Sequence, residues 1–277
     1  MASHLVCGSF RLSLERPLVM GIVNVTPDSF SDGGRHFGAA QAIAHARRLA
    51  AAGADILDIG GESSRPGAQS VSVAEELRRV LPVIEALAGG GIPLSVDTVK
   101  PEVMRRAAAA GAAIINDIAA LQAPGALEAA AASGAAVCLM HMQGEPHTMQ
   151  ADPRYDDVVM EARAFLARRV AAARAAGIAA ERLIVDPGFG FGKRLEHNLA
   201  LLRQLGRFSD LGAAVMAGLS RKSMLGEITG RAAGRRQAAS VAAALLAAQN
   251  GAKILRVHDV AATRDALAVW QAVAAQE

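Results

Sequence analysis

The stretch KPEVMRRAAAAGAAIIND, residues 100–117, decides the fold. Pro101 stands where a first helical turn tolerates proline, because its missing N–H would have no helical partner there. An alanine-rich run then carries the helix to Gly111, a residue type that freely takes the left-handed conformation ending many helices. The apolar run Ala112 to Ile115 has the length and flanks of a buried strand. It stops at two polar residues, Asn116 and Asp117. The rest of the chain repeats this unit of helix, glycine, short apolar strand and polar end.

Eight such apolar runs occur, at 19–25, 55–59, 92–96, 112–116, 135–140, 182–186, 213–218 and 252–257. Gly53, Gly111, Gly134, Gly177 and Gly251 each fall between an alanine-rich stretch and the next run, the place of a helix C-cap. Ser72 with Glu75 predicts a capping box opening the helical pattern SVAEELRRVLPVIEALA. Strands alternating with helices imply a parallel sheet with crossover helices. Eight evenly spaced units in 277 residues match a (β/α)8 TIM barrel, with a doubly wound open sheet as the alternative. No GxGxxG follows the first run, which favours the barrel. The leading VCGSFRLSLERP alternates as a short N-terminal β-hairpin would, closing the barrel's bottom. No linker interrupts the chain, so residues 1–277 are expected to form a single domain.

Composition narrows the function. Hydrophobic residues make up 52% of the chain and aromatic ones 3%, so its core is one of small side chains. The apolar runs fall short of the roughly 18 residues of a membrane span, and MASHLVCGSF lacks the charged and apolar regions of a secretory signal. Cys7 and Cys138 stand outside any CxxC or Cys/His cluster, so neither a disulfide framework nor structural zinc is expected, and a reducing cytoplasm is. Net charge is +3. The arginines at 47, 48, 78, 79, 105, 106, 168 and 169 are scattered as on solvated helix faces. No aromatic–basic interleaving suggests nucleic acid, and a small anionic ligand suits the charge better than a polymer.

The strand ends carry the chemistry. In order they offer Asn24; Asp58; Asp97 and Thr98; Asn116 and Asp117; Met140 and His141; Asp186; Ser220, Arg221, Lys222 and Ser223; and Arg256, His258 and Asp259. A polar residue before water needs no special role. Yet Asp58, Asp97 and Asp186 lie inside or at the last position of apolar runs, where a carboxylate is costly without a partner. In a parallel barrel all these ends meet on one face, the face on which such enzymes act. Asp97, Asn116 and Asp186 suit the edge of a planar, nitrogen-rich heterocycle, and Lys222 suits a ring carbonyl or nitrogen. Arg65, Arg256 and His258 suit phosphate oxygens. Asn24 and Asp32 are hard oxygen ligands that suit Mg²⁺ shared with a diphosphate. His141 reads as a structural hydrogen-bonder, and no GxSxG marks Ser220 or Ser223 as a nucleophile. Ser220 and Lys222 could equally cap the helix that follows. GFGFGK lacks the spacing of a P-loop, so its glycines are expected to bring backbone close to a ligand, with Phe191 offering a flat face.

In order and spacing, GIVNVTPDSFSDGG, DIGGESSRPGA, VDT, INDI, MHMQG, DPGFGFGK, GLSRKSMLG and LRVHDV closely resemble the bacterial dihydropteroate synthases, a family of pterin-binding TIM barrels. The likeness runs from about residue 5 to 275. It implies the condensation of 6-hydroxymethyl-7,8-dihydropterin diphosphate with p-aminobenzoate to 7,8-dihydropteroate and diphosphate. It further implies Mg²⁺ as cofactor, a place in folate synthesis, sulfonamides as mimics of p-aminobenzoate, and a homodimer. By resemblance the pterin falls to Asp97, Asn116, Met140, Asp186 and Lys222. Diphosphate falls to Asn24, Arg65, Arg256 and His258, with the metal on Asn24 and Asp32. The p-aminobenzoate falls to Phe30, Ser64, Arg65, Pro66, Phe191 and Ser223, and Asp32, Asp186, Lys222, Arg256 and His258 are the catalytic set. The loop after Asn24 is expected to be a lid hinged at Gly33 and Gly34. Ser64 stands where many relatives carry threonine, and GRAAGRRQAAS, residues 230–240, departs from the usual pattern. Two other functions share part of this set: a methyltetrahydrofolate–corrinoid methyltransferase barrel, and a catalytically silent pterin-binding paralogue.

Overall fold

The computed structural model describes residues 3–26, 35–63 and 69–274. Eight strands pair in parallel and close on themselves: β3 (Leu18–Asn24), β4 (Ile56–Gly60), β5 (Leu94–Asp97), β6 (Ala112–Asp117), β7 (Ala136–Met140), β8 (Leu183–Asp186), β9 (Ala214–Ala217) and β10 (Ile254–Val257), which pairs with β3. Each falls on one of the eight apolar runs. The closed barrel is a TIM barrel, and the open-sheet alternative is set aside.

The helices α1 (Arg35–Ala51), α2 (Val73–Leu87), α3 (Pro101–Ala109), α4 (Ala126–Ala132), α5 (Val158–Ala175), α6 (Leu195–Arg203), α7 (Ser223–Thr229), α8 (Gln237–Gln249) and α9 (Val260–Ala274) lie between and after the strands. Alanines at 42, 46, 107, 129, 130, 162, 173, 243, 244 and 247 pack against the strands' outer faces, so a core poor in aromatics closes by near approach of backbones. All five predicted cap glycines have positive φ, from 73° at Gly134 to 114° at Gly111. Ser72 caps α2, its hydroxyl accepting the Glu75 N–H at 3.2 Å. The reciprocal half of the expected box is not made: the Glu75 carboxylate is taken by Arg78 and Arg79 instead.

Before the barrel, β1 (His4–Cys7) and β2 (Phe10–Ser13) form the expected antiparallel hairpin. Leu5, Cys7 and Leu14 are buried with Met20, Ile56, Ile114, Cys138, Ile184, Met216 and Ile254 in a cluster separate from the outer core. These are inward-facing residues of the strands, so the hairpin plugs one end of the barrel with hydrocarbon.

Candidate active site

Side chains alternate along a strand, so the residue two positions after each inward apolar residue faces inward again. From Ile56, Ile114, Ile184 and Ile254 this step reaches Asp58, Asn116, Asp186 and Arg256. From Cys138 it reaches Met140, and from Met216, Gly218. The register sets four rim residues side by side: Asn24 opposite Gly60, Gly60 opposite Asp97, Asp97 opposite Asn116. Further round the rim, Met140 and Asp186 are register neighbours on the paired strands β7 and β8.

An ion-pair network joins the floor. Arg256 donates through Nε to Asp58 Oδ2 at 2.6 Å and through Nη2 to Asp97 Oδ2 at 2.7 Å. Asn116 Nδ2 donates to the same Asp58 oxygen at 3.2 Å. One guanidinium cannot neutralise two carboxylates. Burial first, and the Asp58 charge against the pull of Arg256, push Asp97 up to about 7. Burial works against the guanidinium charge, but Asp58 and Asp97 overcome it and raise Arg256 above its ordinary value. Arg256 therefore begins in the floor among carboxylates, a setting the sequence expectation of a phosphate ligand did not include.

Asp186 and Arg256 both come within 4 Å of the space a side chain at Gly218 would enter. Burial raises Asp186, opposed by Lys222 and by the Gly188 N–H, which donates to its Oδ1 at 2.7 Å. Lys222 occupies the N-cap position of α7 without capping it through its side chain. Its ammonium instead bonds the Phe189 carbonyl and lies 4.6 Å from the centre of the Phe191 ring. Burial pushes it down to about 8, with Asp186 pulling upward. Ser220 likewise does not cap the helix; its hydroxyl bridges the backbone N–H and Nδ1 of His258 at 3.3 and 3.0 Å.

The loop that carries Lys222 is clamped from outside. Arg221 has φ of 60°, its N–H donates to Ser240 Oγ at 3.0 Å, and its guanidinium pairs with Asp259 at 2.7 Å. Arg236 donates to the carbonyls of Arg221 and Lys222 at 3.0 and 3.1 Å. A Cβ at Gly226 would collide with that guanidinium. The divergent stretch 230–240 thus folds into a 3-10 turn, Ala233–Arg235, and the start of α8, and holds the crater wall.

Two of the GFGFGK glycines act differently from the expectation. At Gly188 and Gly192, with φ of 74° and 60°, an added Cβ would strike the His141 and Gln143 carbonyls. Their closest approach is to the loop after β7, while Gly188 also nears Met140 and Gly190 faces Lys222, both site residues. Lys193 is buried and ties the two loops together, its ammonium 3.0 Å from His141 Nδ1, 3.2 Å from the His141 carbonyl and 2.9 Å from that of Phe191. Burial drives Lys193 down to about 7 and His141 to about 3, so the imidazole is the neutral structural partner expected.

A cavity of about 410 Å³ opens from Asp97 and Met140 and runs outward past Thr98, Ile118, Gln122 and His147. Its far wall holds Lys100, which bridges Glu62 and Glu76, both at 2.5 Å. Glu62, Glu76 and Lys100 were not expected. Glu76 did leave a signal, since it occupies the same α2 stripe as Val80, Val83 and Ile84. Nor are all the helix arginines solvated: Arg79 bonds the Gly61 carbonyl, and Arg169 bonds those of Ala120 and Leu121. Of the remaining candidates, Asn24 ends β3, Phe191 is half-buried and Ser223 is the exposed first residue of α7. Phe30, Asp32, Gly33, Gly34, Ser64, Arg65 and Pro66 lie outside the described residues. Among the described residues no group of three or more His, Cys, Asp or Glu side chains could hold a metal.

The comparisons agree with this geometry. The family model described as "Pterin binding enzyme" matches residues 20–258. The dihydropteroate synthase of Escherichia coli K12 is 53% identical over 262 residues, covering 94% of this chain and 93% of its own. A Xanthomonas albilineans dihydropteroate synthase solved with 4-aminobenzoic acid is 60% identical with a TM-score of 0.94, and 99% of each chain is covered. One from the same organism in complex with 7,8-dihydropteroate is 54% identical with a TM-score of 0.88 and the same coverage.

Proposed function

The chain belongs to the pterin binding enzyme family, and from that premise we infer that its crater is the active site of a dihydropteroate synthase, the folate-pathway transferase that makes 7,8-dihydropteroate. The observation that carries the reading is the floor: Asp97 beside Asn116 on neighbouring strands, and Lys222 close enough to Asp186 and Asp97 to feel both charges. A pyrimidine-type edge bears donors that meet carboxylates. Lys222 donates to an electronegative ring atom, and Met140 packs on the ring face.

The substrate pair is the pterin diphosphate and p-aminobenzoate. The breaking bond joins the pterin methylene to a diphosphate oxygen, so negative charge grows on the leaving group and positive charge on the pterin. Arg256, His258 and Arg65 meet the first. Asp186 and Asp32 meet the second, which makes a dissociative path accessible. An arylamine is unprotonated at neutral pH and needs no base before it attacks; Phe30, Ser64, Arg65, Pro66, Phe191 and Ser223 hold it close. Asn24 and Asp32 have the hard oxygen donors that suit Mg²⁺, which takes few protein ligands and shares phosphate oxygens. Bound there, the ion would supply positive charge beside the diphosphate.

We further assign all 277 residues to one pterin-binding barrel domain. Among the described residues no helix is long and apolar enough to cross a membrane, and both cysteines are free and buried, which supports a cytoplasmic setting. Leu246 on α8 and Val269 and Val273 on α9 are exposed, which supports a homodimer through the last barrel helices.

Diphosphate release by the purified chain tests the function. It is expected to need both p-aminobenzoate and Mg²⁺. Release independent of p-aminobenzoate, or none, would overturn the reading and favour the methyltransferase or silent alternatives.

A further inference from the structure

Asp58 is assigned no contact with the pterin ring or the diphosphate, yet it is the most buried group of the crater. It has no exposed surface, and its Oδ1 finds no hydrogen-bond partner among the described residues. A buried ion pair is poor evidence for stability, because well-packed apolar residues of similar volume often do as well or better. An orphaned carboxylate oxygen makes the case for stability weaker still. Something other than folding calls for this carboxylate.

Its second oxygen shows what. Oδ2 accepts at once from Arg256 Nε at 2.6 Å and from Asn116 Nδ2 at 3.2 Å. Only the NH₂ end of an amide can face a carboxylate. Asp58 therefore fixes which way the Asn116 amide points, and the carbonyl oxygen takes the opposite direction. Without that anchor Asn116 could offer either end to a ligand. With it, Asn116 joins Asp97 and Asp186 as a third acceptor. The same oxygen holds Arg256 by Nε, so that Nη2 reaches Asp97.

We propose that Asp58 is a positioning residue that sets ring specificity: by orienting the Asn116 amide and anchoring Arg256, it makes the crater select a heterocycle with an exocyclic amino donor facing the Asn116 carbonyl and reject one with a carbonyl in that place. This rests on the pterin reading of the same site. The selected class is the 2-amino-4-oxo pterin ring; the rejected class is its 2,4-dioxo counterpart, in which a carbonyl replaces the amino group.

The test is the ratio of dissociation constants for 6-hydroxymethylpterin and its 2,4-dioxo analogue, measured by calorimetry on the wild type and on Asp58→Asn. The amide introduced by this substitution can pair with either end of the Asn116 side chain, which is then free to turn. The preference is expected to shrink by about tenfold or more in Asp58→Asn. In an Asn116→Ala background the same substitution is expected to change the ratio far less, because the amide is gone and only the hold on Arg256 remains to be lost. Melting temperature is followed throughout, and Asp58→Ser serves if Asp58→Asn does not fold. A purely structural role would weaken both rings alike and keep the ratio, and that result would overturn the proposal. If the wild type binds neither ring, it is the pterin reading that fails, whatever Asp58 does.

Discussion

At its lower end the barrel's interior is hydrocarbon; two residues further along the same strands it is charged. Ile56 precedes Asp58, Ile114 precedes Asn116, Ile184 precedes Asp186 and Ile254 precedes Arg256. The lower layer is sealed by a hairpin and contributes by packing alone. The upper layer holds carboxylates, an amide and cations whose burial makes every imperfect pairing costly. The two layers divide the work of stability and function between them. The lower interior generates stability through burial of apolar area, and the upper interior gives part of it up to keep polar groups oriented toward a ligand.

That contrast is most exposed at Asp186. In Asp186→Ala the crater loses the acceptor beside Lys222 and the partner of the Gly188 N–H. The substitution is expected to lower kcat/KM by on the order of 10²–10³, with a melting temperature near that of the wild type, because the lost carboxylate was itself strained by burial. A large drop in melting temperature with kcat intact in the folded fraction would show that the upper layer works as core.

Ile114→Ala is the mirror experiment, two residues below Asn116. Ile114 is fully buried in the hairpin-capped cluster, and truncation is expected to cost about 2–5 kcal/mol in urea unfolding. Catalysis in the folded protein should stay within about twofold, since no group on the crater side is touched. A kcat loss as large as that of Asp186→Ala would erase the distinction between the two ends.

The sequence made this division legible to different depths. Strands, helices and the hairpin declare themselves because their signals are local: an apolar run of the right length, a glycine at a cap, alternation over a few residues. The convergence of Asp97, Asn116, Asp186, Lys222 and Arg256 follows once the barrel is recognised, since parallel strands end on one face. Asp58 was visible as a carboxylate inside an apolar run, but its use was not. Its partners are 58 and 198 positions away, and only the side-chain directions show that one oxygen serves both. Two of the GFGFGK glycines, Gly188 and Gly192, differ from the expectation for the same kind of reason. Glycine reports that something comes close, and only the fold says whether that is a ligand or, as here, the backbone of the neighbouring loop. Arg236 lay in the stretch that looked least like the family, and its contact with the Lys222 turn depends on Gly226 leaving room.

The smallest expected effect, and the finest probe of the two ends, is pH. Burial displaces the proton affinities of crater groups toward neutrality: Asp186 is raised, Asp97 is raised to about 7 and Lys222 is lowered to about 8. A ligand donor needs Asp97 ionised, so affinity should fall as pH drops through about 7. A ligand acceptor needs Lys222 protonated, so affinity should fall as pH rises through about 8. Pterin binding is therefore expected to be bell-shaped, each arm changing the apparent dissociation constant by at most about tenfold per pH unit. Lys222→Met should weaken binding and abolish the alkaline arm while leaving the acid arm in place. Ile114→Ala should keep both arms, because its layer brings no ionised group to the crater. An alkaline arm that survives in Lys222→Met would mean that another group titrates there, and buried Lys193, lowered to about 7, would be the first to replace.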